Sequence, residues 1–575
     1  MWGFQRHFQI SLQHRAEDLF KALNPEFEVE TFLLGILREQ KADRHPICLE
    51  PEDCGFNPSD FSSVMKDAEH YRAVDPERDV ICSHEAHQRS FVRRIQHRSL
   101  RRAVLDQLRG WRSRKQGEYF FSGFMPVAEY DVGLVLRLHY KGEQDPYSLP
   151  KVHAEERFRP RYSLLDAAVE EFFIDFRSAL NKPNPEYVDD LDERNAGELL
   201  RKAGDRLMDT PAWATGKIES LYGLFNACNV ISSLTYESAE SSGTILVARA
   251  GHPSIKPTLQ LVNPVRLYRH RAVRKLLEVA ATGDSLLFDG EGIVGFGRII
   301  GNYNQAEADL FEIRFTRHYT WELLHGGHRM MLVSYGNPRL PLQPLNATKL
   351  ASDLKRIFRG ISTENAKELV DLALQACKQR HGALLVIASD AEQEARRLSN
   401  QATAIEPMAL TPDIVKNVTA IDGAVLLNPQ GVCFAIGAIL DGLATPEGDP
   451  ARGARYNSSL RYLANKAECL AIIVSEDGTA EWIPNLQPQI QRKELDAIQN
   501  EITELLKQAE VDWDRGHKAL RWLRANQFYL SEKMCCEANE LTKRINERRW
   551  KESSFMVHDT PFAANPAMND EYVID

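Results

Sequence analysis

In the second half of this chain, acids, an arginine and small residues occur in an order that suits chemistry on phosphates. Asp422 is followed at once by Gly423 and Ala424, and Gly453-Ala454-Arg455 comes about thirty residues later. Ser475-Glu476 then closes the apolar run LAIIVSEDG. A carboxylate and a guanidinium can neutralise and position phosphate groups, which is most of what phosphoryl transfer demands of a protein. Small residues let the backbone come close to a ligand. The Asp-Gly-Ala tripeptide by itself is weak, because any hairpin can hold it.

The elements that must position these residues can be read from the same region. The helical patterns Ala347–Phe358 and Ser362–His381 lead into an apolar strand, Ala383–Ala388. A helix near Pro412–Thr419 follows, then the hairpin opened by Asp422, the glycine loop, a helix over Tyr456–Lys466 and a last strand. Helices followed by strands also occur earlier, with helical patterns over Tyr162–Leu180 and Asn195–Val230 before a strand-rich block, Thr244–Pro341. Gly243 with Gly382, Gly292 with Gly431, Arg317 with Arg455 and Ser334 with Ser475 are all separated by 138 to 141 residues. That near-constant interval implies an internal duplication.

The order Asp-Gly-Ala, arginine-bearing glycine loop and Val-Ser-Glu strand end resembles the diadenylate cyclase domain, the nucleotide-binding module of the DNA-integrity scanning protein and its membrane-bound relatives. The resemblance covers roughly a quarter of the chain, from about Asn346 to Pro488. It implies a mixed sheet flanked by helices and a reaction in which two facing domains join two ATP molecules into cyclic di-AMP. It further implies that Asp422 and Glu476 hold Mg²⁺ or Mn²⁺ and that Arg455 grips phosphate oxygens, with Asp422, Arg455 and Glu476 as catalytic residues. Gly423, Ala424, Leu440, Gly453, Tyr456, Asn457 and Ser475 are the nucleotide-binding positions it implies, Leu440 packing on adenine. ATP, cyclic di-AMP and a second copy of the chain are the partners to expect.

The chain departs from the family where Thr-Arg-His-Arg is replaced by Ala454-Arg455-Tyr456-Asn457, and where the second glutamate of the strand end becomes Asp477. A guanidinium, an imidazole and a hydroxyl are lost from the triphosphate grip; charge-assisted contacts are worth about 1.5–3 kcal/mol each. Two readings stay open. The retained residues favour a cyclase governed by N-terminal sensor domains; the altered loop favours a nucleotide or cyclic-dinucleotide sensor, in a stress or phage response, without turnover. An oligomeric scaffold without nucleotide would not need Asp422 and Arg455 at this spacing. In the first copy the acid is displaced by one residue, Gly283-Asp284-Ser285, yet Thr316-Arg317-His318 is closer to the family's phosphate loop. Two readings of this copy stay open: these three residues contribute to a pseudo-symmetric pair of sites, or the copy is a decayed sensor or scaffold domain. Arg269-His270-Arg271-Ala272 spells a family motif in the wrong chain order and reads as a helix entry.

Elsewhere the sequence excludes more than it assigns. Over 575 residues, 43% hydrophobic and 26% charged, the expectation is a multidomain α/β protein. The division is an N-terminal α/β domain of unknown role over 1–140, a degenerate cyclase-like or sensor domain over 160–342, the cyclase-like domain over 346–488, a helical region over 489–552 and an extended or disordered tail over 553–575. A net charge of −10 does not indicate nucleic-acid binding, and the basic stretch Arg89–Lys115 reads as a helix with a solvated face. No run is apolar for long enough to span a membrane. Nine scattered cysteines and the absence of a signal-peptide pattern point to a reducing, cytoplasmic setting. Cys82, His84 and His87 read as a helix start rather than a metal site, and His318, His325 and His328 lack a further ligand at zinc spacing. The leucines and tryptophan at 505, 506, 520, 522 and 523 form apolar stripes suited to a helical hairpin or an oligomer contact.

Overall fold

The computed structural model describes the chain apart from residues 40, 42, 53, 81–83, 113–116, 140–146, 150–161, 182–194, 218–222, 237–241, 281–282, 342–343, 380, 444–447, 450–451, 465, 476–477, 509–510 and 554–559. Cys82 and Glu476 therefore lie outside the described residues. The protein is mixed α/β in two compact units, residues 1–342 and 343–575.

The first unit opens with α1 (Gln5–Leu23), whose Phe8, Leu12, Ala16, Leu19 and Leu23 recur at three- or four-residue steps and are all buried. The strands β1 (Glu28–Leu37) and β2 (Ile47–Glu50) precede the helices α2 (Val64–Ala73) and α3 (Glu85–Arg112), and the hairpin β3 (Glu118–Val127) and β4 (Tyr130–His139) follows. These strands make an antiparallel sheet in the order β2-β1-β4-β3. Side chains alternate across a strand. On β1, Val29, Leu33 and Leu37 join the core under α1, while Phe32, Leu34 and Ile36 join a second core with Val64, Val104 and Leu108 of α2 and α3. Covering both faces explains why the run Thr31–Leu37 is apolar without interruption. The basic face of α3 is partly neutralised by the preceding turn, where Arg98 meets Asp75 at 2.6 Å and Glu77 at 3.0 Å.

Next come α4 (Leu164–Leu180), α5 (Ala196–Ala214) and α6 (Leu224–Ser233), which share one hydrophobic core with α1 and with the sheet that follows. That sheet contains β5 (Gly243–Ala248), β6 (Ile255–Arg266), β7 (Ser285–Phe288), β8 (Gly292–Ile299), β9 (Leu310–Arg317), β10 (Thr320–His325), β11 (His328–Ser334) and β12 (Asn337–Arg339), with α7 (His270–Ala280) between β6 and β7. Arg269 precedes α7, in keeping with a helix entry. Its strand order is β12-β11-β10-β9-β5-β7-β8-β6, and β5 and β7 are its parallel pair.

His325, at the end of β10, is buried beside Tyr303, whose hydroxyl lies 3.3 Å from its Nε2 and 3.0 Å from Asp309 Oδ1. Burial pushes the imidazole down to about 4; Asp309 opposes this and His328 adds to it. Between its ordinary value and about 4 the unfolded chain takes up a proton that the folded chain refuses. This contribution is complete above pH 6.5 and is lost as the pH falls towards 4, about 3 kcal/mol in all. Thermal melts across that window should therefore fall more steeply for the native chain than for His325→Phe. Equal slopes would show that His325 does not carry the effect.

The second unit starts with α8 (Ala347–Ile357) and α9 (Thr363–Ala376), capped by the side chains of Asn346 and Ser362. Its sheet contains β13 (Ala383–Ala388), β14 (Thr403–Ala409), β15 (Ala424–Leu427), β16 (Val432–Ala438), β17 (Cys469–Val474) and β18 (Ala480–Ile483). Helix α10 (Ala391–Arg397) follows β13, α11 (Pro412–Val418) precedes β15, and α12 (Ala454–Leu463) precedes β17. The order is β14-β16-β15-β13-β17-β18, with β13 parallel to β15. Every residue of β13, β15 and β17 is buried, as expected of central strands covered on both faces.

Strand for strand, this is also the order of β6-β8-β7-β5-β9-β10 in the first unit, with the one parallel pair in the same place. Gly243 and Gly382 stand at the starts of equivalent strands, as do Gly292 and Gly431. The other two pairings are corrected. Arg317 ends β9, the counterpart of β17, whereas Arg455 opens α12, and only the short turn Gln305–Glu307 occupies the place of α12 in the first unit. Ser334 ends β11, which has no counterpart in the second sheet. The equal intervals arose because the loop between β16 and α12 takes up the length that β9 takes up after β8, and α12 with β17 then takes up the length of β10 with β11. Shared strand order is a matter of topology; duplication of one ancestral segment remains a proposal.

The chain ends in α13 (Arg492–Lys507), α14 (Trp513–Ala525) and α15 (Glu532–Ser553), which bury Leu505, Leu523, Leu541 and Ile545 in a core of their own. Of the two alternatives expected for the tail, extended or disordered, residues 560–575 follow the first. Phe562 enters that core, exchanges backbone bonds with the Asn539 amide at 2.8 and 2.9 Å, and lies 3.8 Å beneath the Arg524 guanidinium. Strand β19 (Ile490–Gln491), ahead of α13, then pairs in parallel with β20 (Val573–Ile574). Among the described residues no helix is long and apolar enough to cross a membrane.

Candidate functional site

The start of β13, the start of β15 and the end of β17 lie at one edge of the second sheet, because β17 runs antiparallel to the other two. Asp422 lies two residues before β15 and Ser475 immediately follows β17. Arg455 lies in the first turn of α12, after Gly453 as its N-cap residue. The topology thus gathers an acid, a hydroxyl and a guanidinium that are separated by 20 to 53 positions in the sequence.

Arg455 donates from Nη2 to Asp422 Oδ1 at 3.1 Å. The Asp422 side chain is 92% exposed and that of Arg455 36%. A carboxylate so open is not held for stability, since an exposed ion pair contributes at most about 1 kcal/mol. Gly382 makes room for the guanidinium: a Cβ there would stand 2.6 Å from Arg455 Nη1 and 2.7 Å from the Val474 carbonyl. Reading the sequence gave Gly382 no role at the site; its place in the glycine repeat was the available signal. Gly423 has φ +109° and backs onto Gly437, whose carbonyl carbon a Cβ would approach to 2.5 Å. The tripeptide therefore needs its glycine both for conformation and for space. Ala424, by contrast, is fully buried in the sheet and acts from behind the site.

The rest of the glycine loop has a different use from the one expected. Asn457 accepts from Asp449 N at 3.0 Å and donates to the carbonyls of Asp449, Arg452 and Gly453 at 2.9, 2.9 and 3.3 Å. Its amide closes the loop rather than facing a ligand. Tyr456 lies under the Arg452 guanidinium at 4.3 Å and packs, like Leu440, against the cluster between α10 and the sheet. The Ser475 backbone forms a turn with Thr479 and Gly478, which leaves its side chain exposed. Among the described residues no cluster of three metal-ligating side chains occurs. Asp422 fits the way Mg²⁺ is usually bound, by one or two carboxylates together with substrate phosphates.

Behind the site is a polar network that reading the sequence missed. Glu394 of α10 receives Arg397 at 2.8 Å, Lys466 at 2.8 Å and the Tyr462 hydroxyl at 2.7 Å. Burial pushes its carboxyl up, but these donors outweigh that and hold it at about 2. Arg397 also reaches Asp441 with two bonds, at 2.5 and 2.8 Å. Beside Asp441, Gly442 lies so close to α12 that a Cβ would meet the Arg461 backbone at 2.6 Å. The loop carrying Leu440 is thereby fastened to the helix carrying Arg455.

In the first unit the corresponding positions are occupied differently. Asp284 bonds Arg298 at 2.9 Å and the Thr258 hydroxyl at 2.7 Å. Thr316, Arg317 and His318 lie at the turn between β9 and β10 and not at a helix start, so they form no phosphate loop of the expected kind.

Three family models match the chain: the probable sensor domain DACNG over residues 1–208, the probable sensor domain DACNH over 222–327, and the DisA bacterial checkpoint controller nucleotide-binding domain over 372–483. No curated protein matches. Among solved structures, a double mutant of DacA from Staphylococcus aureus is 21% identical, covering 22% of this chain and 91% of its own at a TM-score of 0.18. A hypothetical membrane spanning protein from Bacillus cereus is 22% identical, covering 24% and 67% at a TM-score of 0.20. Gly382, Asp422, Arg455 and Ser475 all fall inside the third matched segment. Over residues 372–483 the chain therefore carries a nucleotide-binding domain of the DisA family, behind two probable sensor domains.

Proposed function

We propose that this protein is a cytoplasmic diadenylate cyclase whose output is set by its N-terminal sensor domains. The supporting observation is the Arg455–Asp422 pair, held at an open sheet edge by the gap at Gly382. In the proposed reaction each ATP 3′-oxygen bonds to the α-phosphorus of the other ATP. The bond from that phosphorus to the departing pyrophosphate breaks, and the 3′-hydroxyl proton is released. Two ATP thus give one cyclic di-AMP and two pyrophosphates. Mg²⁺ or Mn²⁺, held by Asp422, Glu476 and the substrate phosphates, would supply charge neutralisation. Arg455 would grip phosphate oxygens, Ser475 would hydrogen-bond the phosphate side, and Leu440 would pack on the base. Two such domains must face one another, so the active species is a homo-oligomer.

The engagement of Asn457 within its own loop, together with the loss of the family's histidine and second arginine, favours a second reading. In it the domain binds ATP or cyclic di-AMP without turnover. The native chain incubated with ATP and Mn²⁺ or Mg²⁺, followed by mass spectrometry, separates the two. Cyclic di-AMP in excess over a no-protein control supports the cyclase. Saturable nucleotide binding with no product assigns the domain to sensing.

A further inference from the structure

Two tyrosines in the first unit adopt backbone conformations that tyrosine disfavours. Tyr319, in the turn from β9 to β10, has φ +56°, and Tyr335, in the turn from β11 to β12, has φ +49°. The second turn is a two-residue hairpin loop, Tyr335-Gly336, between the paired Ser334 and Asn337. Both of its residues have positive φ, the situation in which Asn, Asp or Gly is ordinarily found at the first position. A bulky residue at positive φ is an outlier, and such strain points to a use for the side chain.

The use is visible in the rings. Tyr319 and Tyr335 stack with centroids 5.1 Å apart and planes 22° from parallel, while the His318 ring meets Tyr319 edge-on at 4.4 Å. The Tyr335 N–H donates to the Tyr319 carbonyl and the Tyr319 N–H to the Ser232 carbonyl, both at 2.9 Å, so the two turns are locked together. Yet Tyr335 is 71% exposed and Tyr319 39%. A ring buried between turns would serve cohesion; a ring whose outer face is open serves as a platform. Arg317 and His318 place a guanidinium and an imidazole in the same turn, groups that suit a phosphate.

We propose that Tyr335, backed by Tyr319, is a stacking platform for the base of a free nucleotide whose phosphate is met by Arg317 and His318. Stacking on an aromatic face tolerates any base, because every base presents a π-face. This makes the domain a nucleotide-responsive input. The proposal does not depend on turnover at Asp422.

The test is calorimetric titration of the full chain with AMP, GMP, CMP and UMP, together with thermal melts. Tyr335→Asn removes the ring while placing a residue that tolerates positive φ, so it should keep or raise the melting temperature and weaken binding about tenfold or more. Tyr335→Phe keeps the ring and should bind within about twofold of the native chain. Arg455→Ala, at the other nucleotide site, should leave this binding in place. The proposal is overturned if no mononucleotide binds saturably, if Tyr335→Asn binds like the native chain, or if binding disappears with Arg455→Ala alone. A lower melting temperature for Tyr335→Asn with unchanged binding would make the pair a structural clasp and also overturn it.

Discussion

Asp422→Asn is expected to reduce cyclic di-AMP formation at least about a hundredfold, while ATP titrated without a divalent ion binds as well as before or better. The side chain is 92% exposed and meets only the exposed edge of the site, so the substitution should not disturb folding. Asparagine keeps the shape and loses the charge. With that charge goes the counter-ion of Arg455, which donates to Asp422 at 3.1 Å; the guanidinium is then free to turn wholly towards a triphosphate. A carboxylate beside a polyanion also opposes binding of the ground state, so its removal need not raise the dissociation constant. Arg455→Ala should do the reverse. Loss of a charge-assisted phosphate contact, about 1.5–3 kcal/mol, weakens ATP binding roughly ten- to a hundredfold. Product assays by mass spectrometry and calorimetric ATP titrations on the two variants read both effects. An Asp422→Asn chain that makes product at the native rate would remove Asp422 from the chemistry. Unchanged ATP affinity in Arg455→Ala would remove Arg455 from the site.

Glu394→Ala is expected to destabilise the second unit by about 2–3 kcal/mol and to weaken nucleotide binding, although Glu394 touches none of the site residues. Removing one member of a fully buried ion pair costs about 3–5 kcal/mol because the partner charge is left uncompensated. Here Glu394 is buried but Arg397 is 44% exposed, so water takes over part of the role and the figure is lower. Glu394 is also the centre to which Arg397, Lys466 and Tyr462 are tied, and Arg397 in turn holds Asp441. Its loss loosens the loop of Leu440 from α12. Denaturant melts and nucleotide affinity should therefore change together. Because the folded carboxyl titrates at about 2 against an ordinary 4.5, this stabilisation is complete above pH 4.5 and fades as the pH falls through 2. A Glu394→Ala chain of native stability would show that the network is not a support.

The sequence by itself determined the mixed α/β class of this protein and the central strands of its second unit. Uninterrupted apolar runs announced the central strands β13, β15 and β17, because strands covered on both faces have no polar side to show. The helical patterns Ala347–Phe358 and Ser362–His381 announced α8 and α9. Asp422, Gly423, Arg455 and Ser475 stood out through their order along the chain, which resembles that of the diadenylate cyclase domain. Tertiary structure decided the rest. Gly382 mattered only once the topology brought the Arg455 guanidinium over it. Asn457, a phosphate ligand by residue type, became a loop staple because three carbonyls converged on its amide. The pairing of Arg317 with Arg455 failed for the same reason that it looked sound. Counting residues along a chain cannot tell a strand such as β9 from a loop of equal length such as the one between β16 and α12. The tail from residue 560 showed no helical or strand period, yet Phe562 in the C-terminal core, the Asn539 amide and the pairing of β20 with β19 hold it in place. Sequence spacing records which groups the chain carries; which of them meet is set by strand order and by the few places where a missing Cβ lets one segment approach another.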